Sequence, residues 1–314
     1  MSGEYLDISV QMAAEADAYL TGYNARFVDA GIGQASTYLD KYMFTPPEGI
    51  EARVRTVRFP IPLTAVELKL FKGRSRFSKG STRYITVRKK PYQAGEAAHY
   101  KMIVDPAWTG FSKSPERLRK LCASWPTKNG ATLINTGDSV ASWKGGNFLD
   151  TAVPCNPFSK TVTTTYQTFW AATPLTHANV EAMIADLAKR EDLEGDPLPL
   201  GNLTLFASGA LHPLAMTVAG DDYIDGTQIS NPLKKWNLSV ERWHHLSATR
   251  WGLINGAAIE DYPLFNVLVG EEEFYVYGRD SAMFEQKKEM GYEVLKDLGI
   301  SLARNEAIAV ASTT

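Results

Sequence analysis

Cysteine, histidine and long apolar runs are scarce in this chain of 314 residues, and each shortage closes off a class of function. The two cysteines, Cys122 and Cys155, cannot build a disulfide framework or a multi-cysteine zinc site, and they fit a reducing place of synthesis. Cys122 falls on an apolar helical stripe and Cys155 stands beside Asn156-Pro157, so both read as buried structural thiols. His244 and His245 are adjacent and would face opposite ways on a strand, while His99, His177 and His212 are far apart. No metal-ligand spacing results. No run approaches the roughly 18 apolar residues of a membrane-spanning helix. The first twenty residues hold acids but neither Lys nor Arg, so no secretory signal is expected there. A net charge of −2 excludes a globally basic nucleic-acid binder.

Catalytic motifs are missing as well. Ala207-Ser208-Gly209-Ala210 does not fit the nucleophile elbow G-x-S-x-G. Neither a P-loop nor a G-x-G-x-x-G fingerprint occurs. The acidic run Asp192 to Asp196 would put the bidentate glutamate of a calcium loop at Leu203, which cannot ligate. No catalytic constellation assembles, and no enzyme activity, cofactor or metal is expected.

What the chain does have is a globular composition. Apolar residues make up 44%, with 24 glycines besides, enough for about two structural units. Residues 1–50 read as an arm, with one short helix from Ile8 to Leu20 and the stop Pro46-Pro47. Residues 51–105 are strand-rich: Val66 to Leu70 alternates with period two, and Tyr84 to Val87 is β-branched and aromatic. Between them lies a bare, basic hairpin tip. Residues 72–90 carry Lys72, Arg74, Arg76, Lys79, Arg83, Arg88, Lys89 and Lys90 and no acid. Phe77 is the only apolar side chain in the tip. A lone two-stranded hairpin is marginal in water. This one therefore needs a surface to lie on, and its charge asks for an acidic one. Aromatics are too sparse for a base-stacking platform.

Further along, Ser114-Pro115-Glu116 starts a helix whose stripe is Leu118, Leu121, Cys122 and Trp125, with Pro126 as its stop. Asn129-Gly130 and Gly145-Gly146 read as turns. Thr176 caps a helix with Val180, Met183, Ile184 and Leu187 on one face and Lys189 and Arg190 as dipole-favoured cations in its last turn. Leu203 to Phe206 reads as a buried strand, Leu211 to Val218 and Ser281 to Met290 as short helices, and Gly291 to Val310 as strands. Trp236, Trp243 and Trp251 read as core aromatics.

Two stretches carry a resemblance. One runs from Asn147 to Phe158, then Thr173-Pro-Leu-Thr-His-Ala-Asn-Val-Glu-Ala-Met183 and Asp192-Leu-Glu-Gly-Asp-Pro-Leu198. The other is Met290 to Val310. They resemble the major capsid (head) proteins of tailed bacteriophages with the Hong Kong 97-type fold, especially the Mu-like major head subunit branch. The resemblance covers residues 110–314 by pattern and the remainder by layout. It implies an α+β capsid fold: N-terminal arm 1–50, extended loop and flanking strands 51–105, peripheral domain with spine helix 106–146, axial domain 147–278, and C-terminal peripheral strands 279–314. It implies a subunit that assembles with itself as hexamers and pentamers into an icosahedral virion head around double-stranded DNA. The expected partners are scaffolding, portal and decoration proteins, with no membrane, and the expected place of assembly is the host bacterial cytoplasm. The extended-loop residues Lys72, Arg74, Arg76, Phe77, Lys79, Arg83 and Arg88 would then touch a neighbouring subunit. Candidate acidic acceptors are Glu191, Asp192, Glu194, Asp196, Glu271, Glu272 and Glu273. In some relatives a Lys–Asn isopeptide bond welds subunits, for which Lys72 or Lys79 would be the amine. The alternatives are an encapsulin-like nanocompartment shell or an α/β enzyme.

Overall fold

The structure is a computed structural model that describes residues 13, 16, 39–44, 55–62, 82–104, 111–157, 163–193, 195–224, 230–259 and 261–314. Its strands are β1 (Met43–Phe44), β2 (Thr56–Pro62), β3 (Thr82–Arg88), β4 (Lys90–His99), β5 (Val153–Pro154), β6 (Thr165–Tyr166), β7 (Phe169–Trp170), β8 (Leu203–Ser208), β9 (Ser239–Trp243), β10 (Arg250–Asn255), β11 (Phe265–Tyr277), β12 (Glu289–Leu302) and β13 (Ile308–Ser312). The helices are α1 (Tyr100–Val104), α2 (Ser114–Asn135), α3 (His177–Leu187), α4 (His212–Gly220) and α5 (Ala282–Lys287).

Two sheets organise these elements. The first has the order β1-β11-β12-β4 and the second β7-β13-β10-β8-β9. In the first, β11, β12 and β4 are antiparallel and the short β1 runs parallel to β11. In the second, β10 is antiparallel to both neighbours, while β7 and β9 add parallel edges. Val66 to Leu70, expected as a strand, lies outside the described residues; the strand paired with β3 is β2, from Thr56↔Arg88 to Pro62↔Thr82.

Helix α2 lies along one face of the first sheet. Alternate β12 residues Met290, Tyr292 and Val294 are buried on that face, together with Ala98, Phe111 and Leu118. Ala13 and Ala16, both helical, join this cluster; the rest of the expected 8–20 helix lies outside the described residues. Phe111 and Tyr292 stack at 5.2 Å, and Tyr92 meets Trp125 of α2 at 4.7 Å.

The expected stop at Pro126 does not occur. The helix runs through it to Asn135. Proline removes one backbone donor and crowds the preceding turn, but the second half of α2 has more to gain by continuing. There Thr127, Gly130, Ala131 and Ile134 are buried. The turn expected at Asn129-Gly130 is likewise helix: a Cβ on Gly130 would come within 3.1 Å of Leu39 Cδ1, so glycine here permits close packing. Asn129 Nδ2 donates to the Trp125 carbonyl at 2.9 Å. The expected apolar stripe is only partly a core face, since Leu121 is 55% exposed. Gly145 and Gly146, by contrast, form the expected turn with φ of +92° and +70°.

The second sheet is buried along its centre. Every residue of β8, β10 and β13 is buried. Helix α3, capped by the Thr176 hydroxyl accepting from the Asn179 amide, packs Val180, Met183, Ile184 and Leu187 against Leu205, Leu253 and Ala309. Phe206 and Trp243 stack at 4.2 Å on the other side, in a core shared with Leu39, Tyr42, Ile134, Phe265 and Leu302. Trp243 and Trp251 are fully buried as expected, whereas Trp236 is 44% exposed.

Hydrogen bonding does not follow the expected boundary at residue 278. Strand β11, from the segment before it, pairs with β12; β13, from the segment after it, enters the second sheet. The chain crosses between sheets at Ala303–Ala307. Within the expected arm, residues 39–44 are part of the body: Leu39 and Tyr42 are buried, β1 joins the first sheet, and Lys41 and Tyr42 reach Glu241 on the edge strand of the second.

Candidate subunit interface

Seven basic or aromatic loop residues and seven acids form the expected interface; the structure describes the side chains of Arg83, Arg88, Glu191, Asp192, Asp196, Glu272 and Glu273 among them. Lys72, Arg74, Arg76, Phe77 and Lys79 lie outside the described residues. Arg83 and Arg88 are exposed on β3. The hairpin root is anchored to its own chain: Phe59 and Val87 bury against Leu268, with Val57 and Ile85 alongside. Arg83 Nη1 donates to the Trp143 carbonyl at 2.9 Å. Tyr84 stays 57% exposed and lines, with Ile85, Trp143, Phe148 and Leu302, a cavity of about 200 Å³.

The acids divide among three settings. Glu191 accepts from the Thr164 hydroxyl at 2.5 Å, and Asp192 Oδ1 accepts from the Asp196 amide at 2.9 Å, closing the turn on which Asp196 is exposed. Glu194 and the Glu271 side chain lie outside the described residues. Glu272 is engaged within its own chain, 2.6 Å from Lys296 Nζ and 3.8 Å from Arg119 Nε. Glu273 points to the opposite face of the sheet and is exposed. Two neighbours on that face were not anticipated from sequence: Tyr275, which donates to Glu273, and Glu293, which accepts from Tyr277 at 2.6 Å and from Gln93. The carboxylates accepting these bonds hold both phenols above their ordinary range. Strand pairing, Tyr275↔Glu293, was the missing signal.

A second polar constellation, also unanticipated, sits at the crossover between the sheets. Glu306, 1% exposed, receives Lys144 at 3.2 Å and Arg304 at 3.0 Å on the same carboxylate oxygen. Lys144 also donates to the Cys155 carbonyl at 2.9 Å and to Tyr166 Oη at 3.1 Å. Tyr166 donates to Asn305 Oδ1, and Asn305 Nδ2 to the Phe148 carbonyl. Arg190 is not a helix-end cation facing water. It is fully buried, donating to Glu306 O at 2.8 Å, Ile308 O at 2.7 Å and Gln167 O at 2.8 Å, and pairing with Asp186.

Electrostatics follow from the count of charges. Burial alone would raise the Glu306 carboxyl, but Lys144 and Arg304 together overcome it and hold it at about 2. Burial presses the Lys144 amine below its ordinary range, with Glu306 partly offsetting it. Tyr166, wholly enclosed, is pushed up by burial and stays neutral. These ion pairs and hydrogen bonds tie residues 304–308 to Lys144, Tyr166 and Arg190. Among the described residues no cluster of His, Cys, Asp or Glu is placed to hold a metal, and no helix is long and apolar enough to cross a membrane.

No family model and no curated protein matches the chain. Solved structures do. A chain from the procapsid of bacteriophage JBD30 aligns over 95% of this chain and 75% of its own length, with TM-score 0.52 and 12% identity. A chain from Mycobacterium phage Che8 aligns over 88% and 92%, with TM-score 0.54 and 10% identity. The capsid chain of an empty GTA particle aligns over 89% and 90%, with TM-score 0.53 and 13% identity. The fold is thus the α+β fold of phage capsid subunits, the Hong Kong 97 type that the sequence resembles. At these identities the likeness defines the fold and does not reach the Mu-like branch.

Proposed function

We propose that this chain is a major capsid protein that assembles with itself, as hexamers and pentamers, into an icosahedral phage head around double-stranded DNA. The observation that carries this is full-length correspondence: the structure aligns over 88% of this chain and 92% of the Che8 phage chain. A fold by itself does not assign function. Here, however, the sequence independently supplies a basic hairpin that carries no acid, residues 72–90, and it supplies no catalytic constellation.

In this reading the first sheet with α2 is the peripheral domain and the second sheet with α3 and α4 is the axial domain. Residues 72–90 reach a neighbouring subunit through Lys72, Arg74, Arg76, Phe77, Lys79, Arg83 and Arg88. The finished protein resides in the virion and assembles in the bacterial cytoplasm, with scaffolding, portal and decoration proteins as partners. An exposed ion pair contributes only about 0–1 kcal/mol. Many such pairs repeated over a closed shell suffice, and their individual weakness lets misplaced subunits leave.

The test is electron microscopy of the purified protein with analysis of particle contents. Shells with five- and sixfold vertices that contain DNA when made during infection support the reading. Shells loaded with one enzyme would instead indicate a nanocompartment.

A further inference from the structure

The crossover between the sheets gathers an amine, a carboxamide, a carboxylate and a phenol in one dry enclosure. The side chains of Lys144 and Glu306 are each 1% exposed, Asn305 is fully buried, and Tyr166 is 3% exposed. The Tyr166 hydroxyl accepts from Lys144 Nζ at 3.1 Å and donates to Asn305 Oδ1 at 2.9 Å. A single phenol oxygen therefore stands between the amine and the carboxamide. Glu306 follows Asn305 in the chain and lies 3.2 Å from the same amine. Arg190 donates to the main-chain carbonyls of both Asn305 and Glu306 and fixes this segment, while Asn305 Nδ2 is held by the Phe148 carbonyl at 2.8 Å.

Two features go unexplained by ion pairing alone. Lys144 and Arg304 both approach Glu306 Oε1, whereas Glu306 Oε2 is buried with no hydrogen-bond partner among the described residues. An unsatisfied buried oxygen is costly. Burial also presses the Lys144 amine toward its neutral, nucleophilic form. An oxygen free to take a proton, an amine inclined to lose one and a carbonyl polarised by a phenol are the parts of an amide-forming centre.

We propose that Lys144 and Asn305 of one chain join in an isopeptide bond, with Glu306 carrying the protons and Tyr166 stabilising the developing oxyanion. The Lys144 ammonium gives a proton to Glu306, and the freed Nζ lone pair attacks Asn305 Cγ. The Nζ–Cγ bond forms and negative charge gathers on Oδ1, where Tyr166 donates. The tetrahedral centre then collapses and the Cγ–Nδ2 bond breaks. One further Nζ proton and the proton held by Glu306 go to Nδ2, which departs as ammonium. An ammonium and a carboxamide thus become an amide and an ammonium, with no oxidant or reductant. Glu306 returns to the carboxylate that Arg304 favours. The reaction runs once per chain, so a small neutral fraction of Lys144 suffices. Burial of all four groups excludes the water that would instead hydrolyse Asn305 to aspartate. The bond ties the turn after α2 to the crossover; it uses none of the loop lysines and does not depend on the assembly reading.

The experiment is intact-mass spectrometry of the purified protein, followed by tryptic mapping. A chain lighter than its sequence by one ammonia is expected. Digestion should yield a branched peptide that joins residues 129–160, uncleaved at Lys144, to residues 305–314. A mass equal to that of the sequence, unchanged after prolonged incubation of the folded protein, overturns the proposal. So does a lighter chain whose peptides are all linear, since an imide within the chain would lose the same ammonia. Asn305 converted to aspartate without a branch overturns it as well. Lys144→Arg keeps the cation and should hold the mass of its own sequence. Tyr166→Phe keeps the ring and should slow the appearance of the lighter chain by about 10²-fold, the usual loss with one oxyanion donor. Equal rates in a variant shown to be folded by circular dichroism overturn the role given to the phenol.

Discussion

At the residue scale the decisive group is Glu306. It lies in a buried site with two cations on one oxygen, and removing one member of such a site leaves charge uncompensated. Glu306→Gln should therefore cost about 3–5 kcal/mol in denaturant unfolding of the subunit. The pH dependence has a definite sign. A carboxyl near 4.5 in the unfolded chain and about 2 in the folded one contributes stability at neutral pH that is lost as pH falls from 4.5 toward 2. The wild type should show that acid limb in its unfolding midpoint, and Glu306→Gln should flatten it. None of this was legible in the sequence. Lys144 and Glu306 are 162 positions apart, Arg190 and Glu306 are 116, and no local period links them. Arg190 directly after an amphipathic helix reads as a dipole partner; only the crossover at Asn305 to Ile308 turns it inward.

At the scale of elements, legibility tracks locality. Thr176 capping α3 was readable because a cap and its amide lie three residues apart. So were the β-branched stretch of β3 and the apolar strand β8. Helix α2 was misjudged because its continuation past Pro126 depends on Leu39, Phe265 and Ile300, which gather around Gly130 from elsewhere in the chain. Proline still costs the helix a hydrogen bond. Pro126→Ala should raise unfolding stability by about 1–3 kcal/mol, provided the new amide reaches the Cys122 carbonyl. Thermal melts of the two proteins check this. The central strand β10 makes the opposite prediction. A Cβ on Gly252 would lie 2.2 Å from the Ala309 carbonyl and 2.6 Å from Phe206 Cζ. Gly252→Ala should accordingly destabilise by about 3 kcal/mol, as overpacked cores do; a variant that melts with the wild type would contradict this packing of β8, β10 and β13.

At the scale of the whole molecule, two sheets are joined by an ionic crossover at Ala303 to Ile308. The overall class was legible because the hairpin's charge and the strand layout at the C-terminus are sequence features. The grouping of strands was not, since β11 and β13 each pair across the boundary that segment order suggests. Arg74→Glu with Arg76→Glu should leave the subunit folded by circular dichroism while abolishing closed shells. Raising salt from 0.15 to 1 M, where the screening length falls from about 8 to 3 Å, should weaken wild-type assembly in light scattering.

The central claim is that the chain builds a shell. Electron microscopy of the protein, purified alone and after coexpression with the genes flanking its own, tests it most directly. Closed particles with icosahedral vertices, or six-membered rings on the way to them, are predicted. A chain that stays monomeric in both preparations at high concentration would contradict the account.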